Sequence, residues 1–272
     1  MLRIGRGSDS GPCRVCGAQR IHRQVIHRLD RQKRLVAETC RECGHVTLPH
    51  NTHDYTKAAA AEHFGLAARV GTLERPGREF GMAQLALDAL DRDPVDVLVY
   101  GAGRSMDNHH IARLAGVRDV AIGDVVQVRD DAPFIDISQP GWRSFDIVVA
   151  AEVIEHFEQP REEFPRLLSY VSDNGLVVCS TNVYDGGPLV KQAYIFGRGH
   201  VSYYTPHSLR LLADENEFLV DFRPPRAVTG RVGPRKRYVL LTRSADVMRA
   251  ISDYFGQHLY APSEPPTAKR AC

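Results

Sequence analysis

Four of the six cysteines stand in two C-x-x-C pairs, and glycine directly follows each pair. The residues are Cys13, Cys16 and Gly17 in the first pair, and Cys40, Cys43 and Gly44 in the second. Two thiolates at this spacing can reach one ion at about 2.3 Å, and glycine allows the tight backbone reversal after them. Two such pairs complete a tetrahedral site, so the spacing predicts a structural Zn2+. Two redox-active pairs or free thiols are the alternatives.

A site of four thiolates leaves no coordination position for a substrate, so this zinc is expected to hold a small N-terminal ribbon together. Between the pairs, residues 21–34 mix β-branched residues with His and Arg, as in a short hairpin. The basic residues would suit contacts with RNA phosphates. A solvated face of an Arg-rich protein is the plainer alternative, because no aromatic residues alternate with them as stacking platforms.

A G-x-G turn directly after an apolar run is the second feature with chemical meaning. Val95–Tyr100 leads into Gly101, Ala102 and Gly103, ahead of a predicted helix. The glycines let a ligand approach the backbone, and the free N–H groups of a helix start favour anions. Met106 stands where the dinucleotide fingerprint requires Gly or Ala, which argues against NAD or FAD.

Carboxylates end the next two predicted strands. Asp124 closes VAIGD, where its side chain could accept hydrogen bonds from two ribose hydroxyls. Asp136 closes the following run and could lie near the edge of a base. Ordinary surface turn residues are the alternative for both positions.

Two carboxylates and an imidazole follow the apolar run FDIVVAA. His156 is predicted to lie at the carboxyl edge of the sheet, where it could act as a general base, or else simply pack against the fold. If this turn is helical, Glu152 shares one face with Glu155 and His156. Such a face could bind a divalent cation such as Mg2+. Carboxylates that cap a helix or contact a cofactor are the alternative.

The elements that must position these residues alternate between short apolar runs and helices. Runs such as DVLVY and FDIVVA are typical of strands that are buried on both faces, which indicates a parallel sheet covered by helices. The fold class is therefore predicted to be α/β, with a doubly wound, mostly parallel seven-stranded sheet and a small N-terminal zinc ribbon. The predicted strands are Val95–Tyr100, Asp119–Asp124, Phe134–Ile137, Phe145–Ala151, Leu176–Thr181, Phe218–Phe222 and Arg237–Thr242, and the predicted helices are Met106–Ala115, Arg161–Val171 and Pro206–Glu215.

In their order along the chain, these motifs resemble those of class I S-adenosylmethionine-dependent methyltransferases. The resemblance extends from about Arg78 to Arg243 and includes FDIVVAAEVIEHF and GHVSYYTPHSLRLLADENEF. It implies that the residues from Gly101 to Gly103 pass the methionine part of S-adenosylmethionine, that Asp124 holds its ribose and that Asp136 approaches its adenine. It also implies that Ala150 to Glu152 line the pocket near the sulfonium. Two positions depart from the family pattern: Tyr100 replaces an acidic residue and Ser105 replaces a third glycine.

The E-x-x-E-H stretch is also similar to the metal-binding segment of ubiquinone-biosynthesis O-methyltransferases and of small-RNA 2′-O-methyltransferases. This resemblance implies Mg2+ on Glu152, Glu155 and His156, with His200 as a further ligand. The same stretch occurs in many methyltransferases without a known metal, so both interpretations stay open.

The function expected from the resemblance is transfer of a methyl group to a small molecule, by O- or C-methylation of a sugar-type or phenolic acceptor. A cysteine-rich N-terminal module is similar to that of methyltransferases that modify sugars. An RNA methyltransferase that uses the basic ribbon is one alternative. A non-enzymatic zinc-ribbon interaction protein on a degenerate scaffold is another, because of Tyr100 and Ser105. The side chains expected to build the acceptor pocket are those of Tyr184, Tyr194, Tyr203, Tyr204 and His207.

The composition agrees with a globular protein of one large and one small domain. The 272 residues are 43% hydrophobic and 25% charged, and their formal net charge of +2 does not require a nucleic-acid or membrane partner. No apolar stretch approaches the roughly 20 residues that cross a bilayer, so we expect a cytoplasmic protein without membrane insertion. The expected division is a zinc-ribbon module at 1–50, a helical linker or lid at 51–93, the methyltransferase domain at 94–245 and a C-terminal tail at 246–272.

Overall fold

The computed structural model describes residues 11–28, 33–56, 70–224 and 236–256, and these residues form two sheets. The strands are β1 Ile21–Arg28, β2 Lys33–Cys40, β3 Val46–Thr47, β4 Val95–Tyr100, β5 Val117–Asp124, β6 Phe134–Asp136, β7 Phe145–Ala151, β8 Val171–Asn182, β9 Ser202–Tyr203, β10 Leu219–Arg223 and β11 Lys236–Thr242. The α-helices are α1 Arg78–Leu90, α2 Asp107–Ile111, α3 Pro160–Leu168, α4 Pro206–Glu215 and α5 Ala245–Phe255.

The larger sheet has the order β10-β11-β8-β7-β4-β5-β6, so the seven-stranded sheet predicted from the sequence is confirmed. Strands β6, β5, β4, β7 and β8 run parallel, whereas β11 is antiparallel to both of its neighbours. The strand order reverses beside β4, which pairs with β5 on one side and with β7 on the other. In such sheets a ligand crevice opens at the carboxyl ends of the strands next to this reversal.

Helices cover both faces of the larger sheet, because alternate residues of each buried strand point to opposite sides. Val97 and Val99 of β4 belong to the apolar cluster beneath α1 and α5. Leu98 of the same strand belongs to the cluster beneath α3 and α4. All three of these side chains are almost fully buried.

The starts of two helices show how the sequence determines local structure. Helix α4 has the predicted bounds, because the Thr205 side chain accepts a hydrogen bond from the Ser208 amide and Pro206 fits the first turn. Helix α1 has no side-chain cap of its own. The Asp107 carboxylate of α2 accepts hydrogen bonds from the amides of Gly77 at 2.6 Å and Phe80 at 3.0 Å.

Several predicted bounds are wrong. The helix predicted at Met106–Ala115 is the single short α2, and the residues after it form turns that lead to Gly116, where φ is 87°. The strand predicted at Leu176–Thr181 begins at Val171, because that residue pairs with Phe145 of β7. Within the segment 51–93, for which the sequence predicts a helical linker or lid, Arg78–Leu90 form α1, and residues 57–69 lie outside the described ranges.

The first part of the segment 246–272, for which the sequence predicts a C-terminal tail, is helical. Residues Ala245–Phe255 form α5, which starts at Ser244 and ends at Gly256 with φ of 59°. Helix α5 packs against α1 and against β8, β10 and β11. The rest of the predicted tail, residues 257–272, lies outside the described ranges. None of the described helices is long and apolar enough to cross a membrane.

The smaller sheet has the order β1-β2-β3-β9 and is antiparallel throughout. The hairpin expected between the cysteine pairs is present, with Ile21 opposite Cys40. Strand β9 comes from the far part of the chain and pairs with β3, so that Val46 lies opposite Tyr203. We call β1 to β3 and the two C-x-x-C pairs the cysteine module; its sheet is completed by a strand of the main domain.

Candidate functional site

A cavity of about 220 Å3 opens at the carboxyl ends of β4, β5 and β7. This is the position where open α/β sheets bind ligands. We call it the central cavity. The lining residues include Tyr55, Arg78, Glu79, the run from Tyr100 to Ser105, Asp124, Val125, Val126, Ile137, Ala151, Glu152, Val153, His156, Phe157, Glu163 and Arg166.

The G-x-G turn and Asp124 meet on one wall of the central cavity. Gly101 and Gly103 both have positive φ, 70° and 51°, which glycine adopts at low cost. The Gly103 amide donates a hydrogen bond to Asp124 Oδ2 at 2.8 Å, and the Val125 amide donates to Oδ1 at 2.7 Å. Burial raises the pKa of Asp124, and these backbone hydrogen bonds oppose the rise. The turn therefore presents a buried carboxylate beside exposed backbone.

Two charged residues at the start of α1 form another wall. Arg78 Nε lies 3.3 Å from Glu79 Oε1, and Ser105 Oγ donates to Glu79 Oε2 at 3.3 Å. Burial raises the pKa of Glu79 to about 7, while the nearby Arg78 charge lowers it. An acidic group thus faces the cavity next to Ser105. Tyr100 is buried and stacks edge-on against Tyr170, with 5.9 Å between ring centres.

Glu152 lines the central cavity in a backbone conformation that helices exclude, with φ of 58°. Its carboxylate accepts a hydrogen bond from Ser180 Oγ at 3.0 Å and forms an ion pair with Lys236. The predicted helical face shared by Glu152, Glu155 and His156 is therefore wrong. The chain turns at Glu152, and only a short 3-10 turn at Ile154–His156 follows.

His156 reaches the central cavity and has one ring nitrogen held by two oxygen atoms. Nδ1 lies 2.8 Å from the Gly199 carbonyl oxygen and 2.7 Å from the Tyr55 hydroxyl oxygen. A carbonyl oxygen can only accept, so the proton of the neutral ring resides on Nδ1. Nε2 then carries a lone pair, and no described residue donates a hydrogen bond to it.

Glu155 and His200 lie next to His156, and one ligand atom from each of the three residues falls within 4.8 Å of the others. Glu155 is fully buried, and its Oε1 accepts a hydrogen bond from Tyr194. Burial lowers the pKa of His200 to about 3, which keeps this ring neutral near pH 7. Within the described ranges, Glu155 Oε2 and His200 Nδ1 are buried without a hydrogen-bond partner.

Some predicted site residues lie away from the central cavity. The Asp136 side chain is exposed and accepts a hydrogen bond from the Ser138 amide at 2.9 Å. Ala150 is fully buried in β7, whereas its neighbour Ala151 lines the cavity. The side chains expected to build the acceptor pocket, those of Tyr184, Tyr194, Tyr203, Tyr204 and His207, are not among the lining residues either.

The sequence analysis did not predict a site role for three of the lining residues, namely Arg78, Glu79 and Tyr55. An R-E pair at the start of an amphipathic helix is an available signal for the first two, because open N–H groups and charges often meet a ligand there. Tyr55 has no such local signal. It reaches His156 from a distant part of the chain, and only the tertiary fold brings the two residues together.

The four sulfur atoms of the cysteine module lie together, all within 4.8 Å of one another. Cys13 Sγ is 3.6 Å from Cys43 Sγ, and Cys16 Sγ is 3.5 Å from Cys40 Sγ. A tetrahedron with Zn–S bonds of about 2.3 Å has edges of about 3.8 Å, so the residues fit this ion. The contact with Cys43 lowers the pKa of the Cys13 thiol to about 5 and raises the pKa of Cys43.

Two glycines complete the cysteine knuckles. Gly17 and Gly44 have φ of 72° and 73°, as the tight reversal after each pair requires. The Cys43 amide donates a hydrogen bond to Cys40 Sγ at 3.5 Å. Thr205, which caps α4, donates its hydroxyl to the Cys43 carbonyl oxygen at 2.7 Å. The cluster is thereby tied to the main domain.

Comparison with known proteins gives one family match. The family model described as "Methyltransferase domain" matches residues 69–221, which is more than half of the chain. No curated protein matches.

The solved structures that match include two methyltransferases and a complex of the protein DhpI. A Burkholderia thailandensis 1,6-didemethyltoxoflavin-N1-methyltransferase with bound 1,6-didemethyltoxoflavin and S-adenosylhomocysteine is 18% identical, has a TM-score of 0.45 and covers 74% of this chain and 96% of its own. Human N-acetylserotonin methyltransferase with S-adenosylmethionine is 15% identical and has a TM-score of 0.46, and the match covers 60% of this chain and 52% of the human protein's chain. DhpI in complex with S-adenosylhomocysteine is 14% identical and has a TM-score of 0.42, and the match covers 61% of this chain and 83% of the DhpI chain.

Proposed function

The chain belongs to the methyltransferase-domain family, and we propose that it transfers a methyl group from S-adenosylmethionine to a hydroxyl group of a small sugar-type or phenolic acceptor. The observation that carries the proposal is the His156 ring at the cavity wall. Its Nδ1 proton is held by Gly199, and its Nε2 lone pair is left for a proton from an acceptor. O-methylation requires such a base more directly than the other reactions considered, because the hydroxyl proton must leave.

The walls of the central cavity suit S-adenosylmethionine. Asp124 would accept hydrogen bonds from its ribose hydroxyls, and the G-x-G backbone would pass its methionine part. Arg78 would pair with its carboxylate, and Glu79 with its amino group. Bound there, the cofactor supplies a methyl group on a positively charged sulfur.

Glu79 would supply the carboxylate that the family usually places at the position of Tyr100, and it bonds to Ser105, which replaces the third glycine. The acid that the family usually places before the first glycine is absent, yet a buried carboxylate from α1 lines the same cavity and bonds to Ser105. An amino cation beside Glu79 would favour its ionised form, because opposite charges lower a carboxyl pKa. The cofactor and the carboxylate would therefore stabilise each other.

The reaction would need two tasks from this chain. His156 Nε2 would take the hydroxyl proton while the acceptor oxygen bonds to the methyl carbon, and the carbon–sulfur electron pair would leave with the sulfur. The enclosing wall, including Tyr55 and Phe157, would keep the two reactants aligned and exclude water.

A methyl-transfer assay tests this proposal. We expect purified protein to transfer labelled methyl groups from S-adenosylmethionine to at least one member of a panel of sugars and phenols. His156→Ala should lower kcat about 100-fold, within the range for loss of a general base, without weakening cofactor binding. His207→Ala is the matched control, because His207 lies exposed on α4. A panel that yields product only with RNA would replace the proposed acceptor.

One observation favours a metal-assisted version of the same reaction. Glu155, His156 and His200 bring three ligand atoms together, and two of these residues carry buried polar atoms without partners in the described ranges. A divalent cation such as Mg2+ would orient and acidify the acceptor hydroxyl, and His156 Nε2 would then be one of its ligands rather than the base. Activity that falls with a mild chelator, returns with Mg2+ or Mn2+ and is lost in His200→Ala would support this version.

Zn2+ at Cys13, Cys16, Cys40 and Cys43 is part of the proposal, as is the division into segments 1–50, 51–93, 94–245 and 246–272. The positions of the four sulfur atoms support the ion. The segments 1–50 and 94–245 share one sheet, because β3 pairs with β9. Reduced thiolate clusters persist in reducing compartments, so we also propose a cytoplasmic location.

A further inference from the structure

Asn51, which follows the cysteine module, joins that module to the loop beside His156. The Asn51 side-chain amide donates hydrogen bonds to the carbonyl oxygens of Gly197 and His200, both at 2.8 Å. Ile195 O lies further away, at 3.4 Å. Asn51 is only 7% exposed, so these contacts are shielded from water and expensive to lose.

The cysteine module holds the same loop at two further points. Lys33 Nζ of β2 donates to the Phe196 carbonyl oxygen at 2.9 Å and to Asn51 Oδ1 at 3.0 Å. The amide of Leu48, the residue after β3, donates to the Val201 carbonyl oxygen at 2.8 Å. The loop from 195 to 201, which has little regular structure, is thus fastened to the module at both ends.

This loop in turn holds the His156 ring. The Gly199 carbonyl oxygen accepts from His156 Nδ1, and the Val201 amide donates to the Glu155 carbonyl oxygen at 2.9 Å. The Tyr55 hydroxyl also lies 2.7 Å from His156 Nδ1. A Cβ atom on Gly199 would lie only 1.8 Å from this hydroxyl oxygen, so the loop and Tyr55 meet at a distance that glycine alone permits.

We propose that Asn51 and Tyr55 are positioning residues that act through His156. The cysteine module therefore contributes to catalysis, because it holds the loop that orients this ring. The inference rests on the proposed function, because it takes His156 as the base. Asn51 holds the loop on both sides of the Gly199 carbonyl group, which accepts the Nδ1 proton. The Tyr55 hydroxyl contacts the same nitrogen. Together they keep Nε2 available toward the central cavity.

The contacts that hold His156 are separate from the residues expected to bind the cofactor. The G-x-G turn and Asp124 lie on β4 and β5, and none of the contacts of Asn51 reaches those strands. Loss of Asn51 should therefore lower kcat and leave the Kd for S-adenosylmethionine unchanged. Tyr55 lines the cavity itself, so its variant keeps the ring and removes only the hydroxyl that contacts His156. Loss of a residue that holds a functional side chain in its orientation typically lowers activity about 10- to 100-fold.

A double-mutant cycle tests the route through His156. Asn51→Ala and Tyr55→Phe are each expected to lower kcat about 10-fold in the wild-type protein, and to cause no further loss in His156→Ala. Asn216→Ala is the matched control, because the Asn216 amide donates to a backbone carbonyl at 2.7 Å in α4, away from the cavity. Equal losses in both backgrounds, or no loss in the wild type, would overturn the proposal.

A readout independent of activity keeps the inference distinct from the proposed function. In the full-length zinc-loaded protein at about pH 8, where an unperturbed imidazole is neutral, nitrogen-15 spectra should show a single His156 tautomer with the proton on Nδ1. Asn51→Ala and Tyr55→Phe should show a mixture of tautomers. A single tautomer with no methyl transfer to any acceptor would defeat the proposed function alone. An unchanged tautomer in both variants would defeat the positioning role alone.

Discussion

Replacing Glu79 by glutamine should make the protein less sensitive to rising pH. Glu79 is 3% exposed, and burial raises its pKa from the ordinary 4.5 to about 7. The folded protein therefore keeps the Glu79 proton at pH values where the unfolded chain has lost it. Stability falls with pH wherever the folded state binds more protons. The stability associated with protonated Glu79 is thus complete below about pH 4.5 and is lost as the pH rises to about 7.

The size of the effect follows from the two pKa values. A difference from 4.5 to about 7 corresponds to about 3 kcal/mol of unfolding free energy, at about 1.4 kcal/mol for each pH unit. Above about pH 7 both states are ionised, and no further loss arises from this group. Glutamine keeps the shape and the hydrogen-bonding capacity toward Ser105 and has no charge to bury.

Urea unfolding of zinc-loaded protein at pH 5, 6, 7 and 8 measures this effect. We expect the stability of Glu79→Gln relative to wild type to rise by about 2 to 3 kcal/mol from pH 5 to pH 8, since part of the effect lies below pH 5. Glu42→Gln is the control, since Glu42 is about half exposed and pairs with Arg20 at the surface. A stability difference between Glu79→Gln and wild type that stays constant over this range would refute the reasoning about burial.

Two further predictions concern the loop at Gly199 and the cysteine cluster. Gly199→Ala should lower kcat at least about 10-fold, because its Cβ would strike Tyr55; Gly186→Ala, with a similar φ of 86° but open space around it, should not. Parallel kinetics of the two variants separate the contact from backbone strain. Cys40→Ser should reduce bound zinc from one ion per chain to none by elemental analysis and lower Tm, whereas Cys179→Ser, buried outside the cluster, should keep the ion. Full zinc content in Cys40→Ser would rule out the four-thiolate site.

Much of the main sheet is predictable because its strands are continuous apolar runs. Val95–Tyr100 and Phe145–Ala151 have the bounds expected from the sequence. A strand buried on both faces is almost continuously apolar. In these two strands the second residues, Asp96 and Asp146, are the charged exceptions, and the apolar run after each aspartate shows the strand. Helix α4 is equally well marked, by Thr205 and Pro206. The spacing of the cysteine pairs likewise predicts four sulfur atoms at one place, as the structure shows.

The parts that could not be predicted depend on contacts between distant segments. Glu152 takes a left-handed conformation because Ser180 and Lys236 hold its carboxylate from two other strands. The pairing of β3 with β9 joins residues about 155 positions apart, and two-residue strands carry no detectable pattern. Tyr55 and His156, which are also in contact, are 101 positions apart. Sequence patterns report local propensity and burial, and they say little about which distant segments meet.

Calorimetric titration with S-adenosylmethionine tests the central claim most directly. We expect the wild-type protein to bind with micromolar affinity, about −8 kcal/mol. Asp124→Ala should weaken binding at least about 10-fold, because it removes a buried acceptor of hydrogen bonds. Asp136→Ala, at an exposed carboxylate that bonds only to the next turn, should bind like wild type. No binding by the zinc-loaded wild type, or equal affinity in Asp124→Ala, would contradict the account.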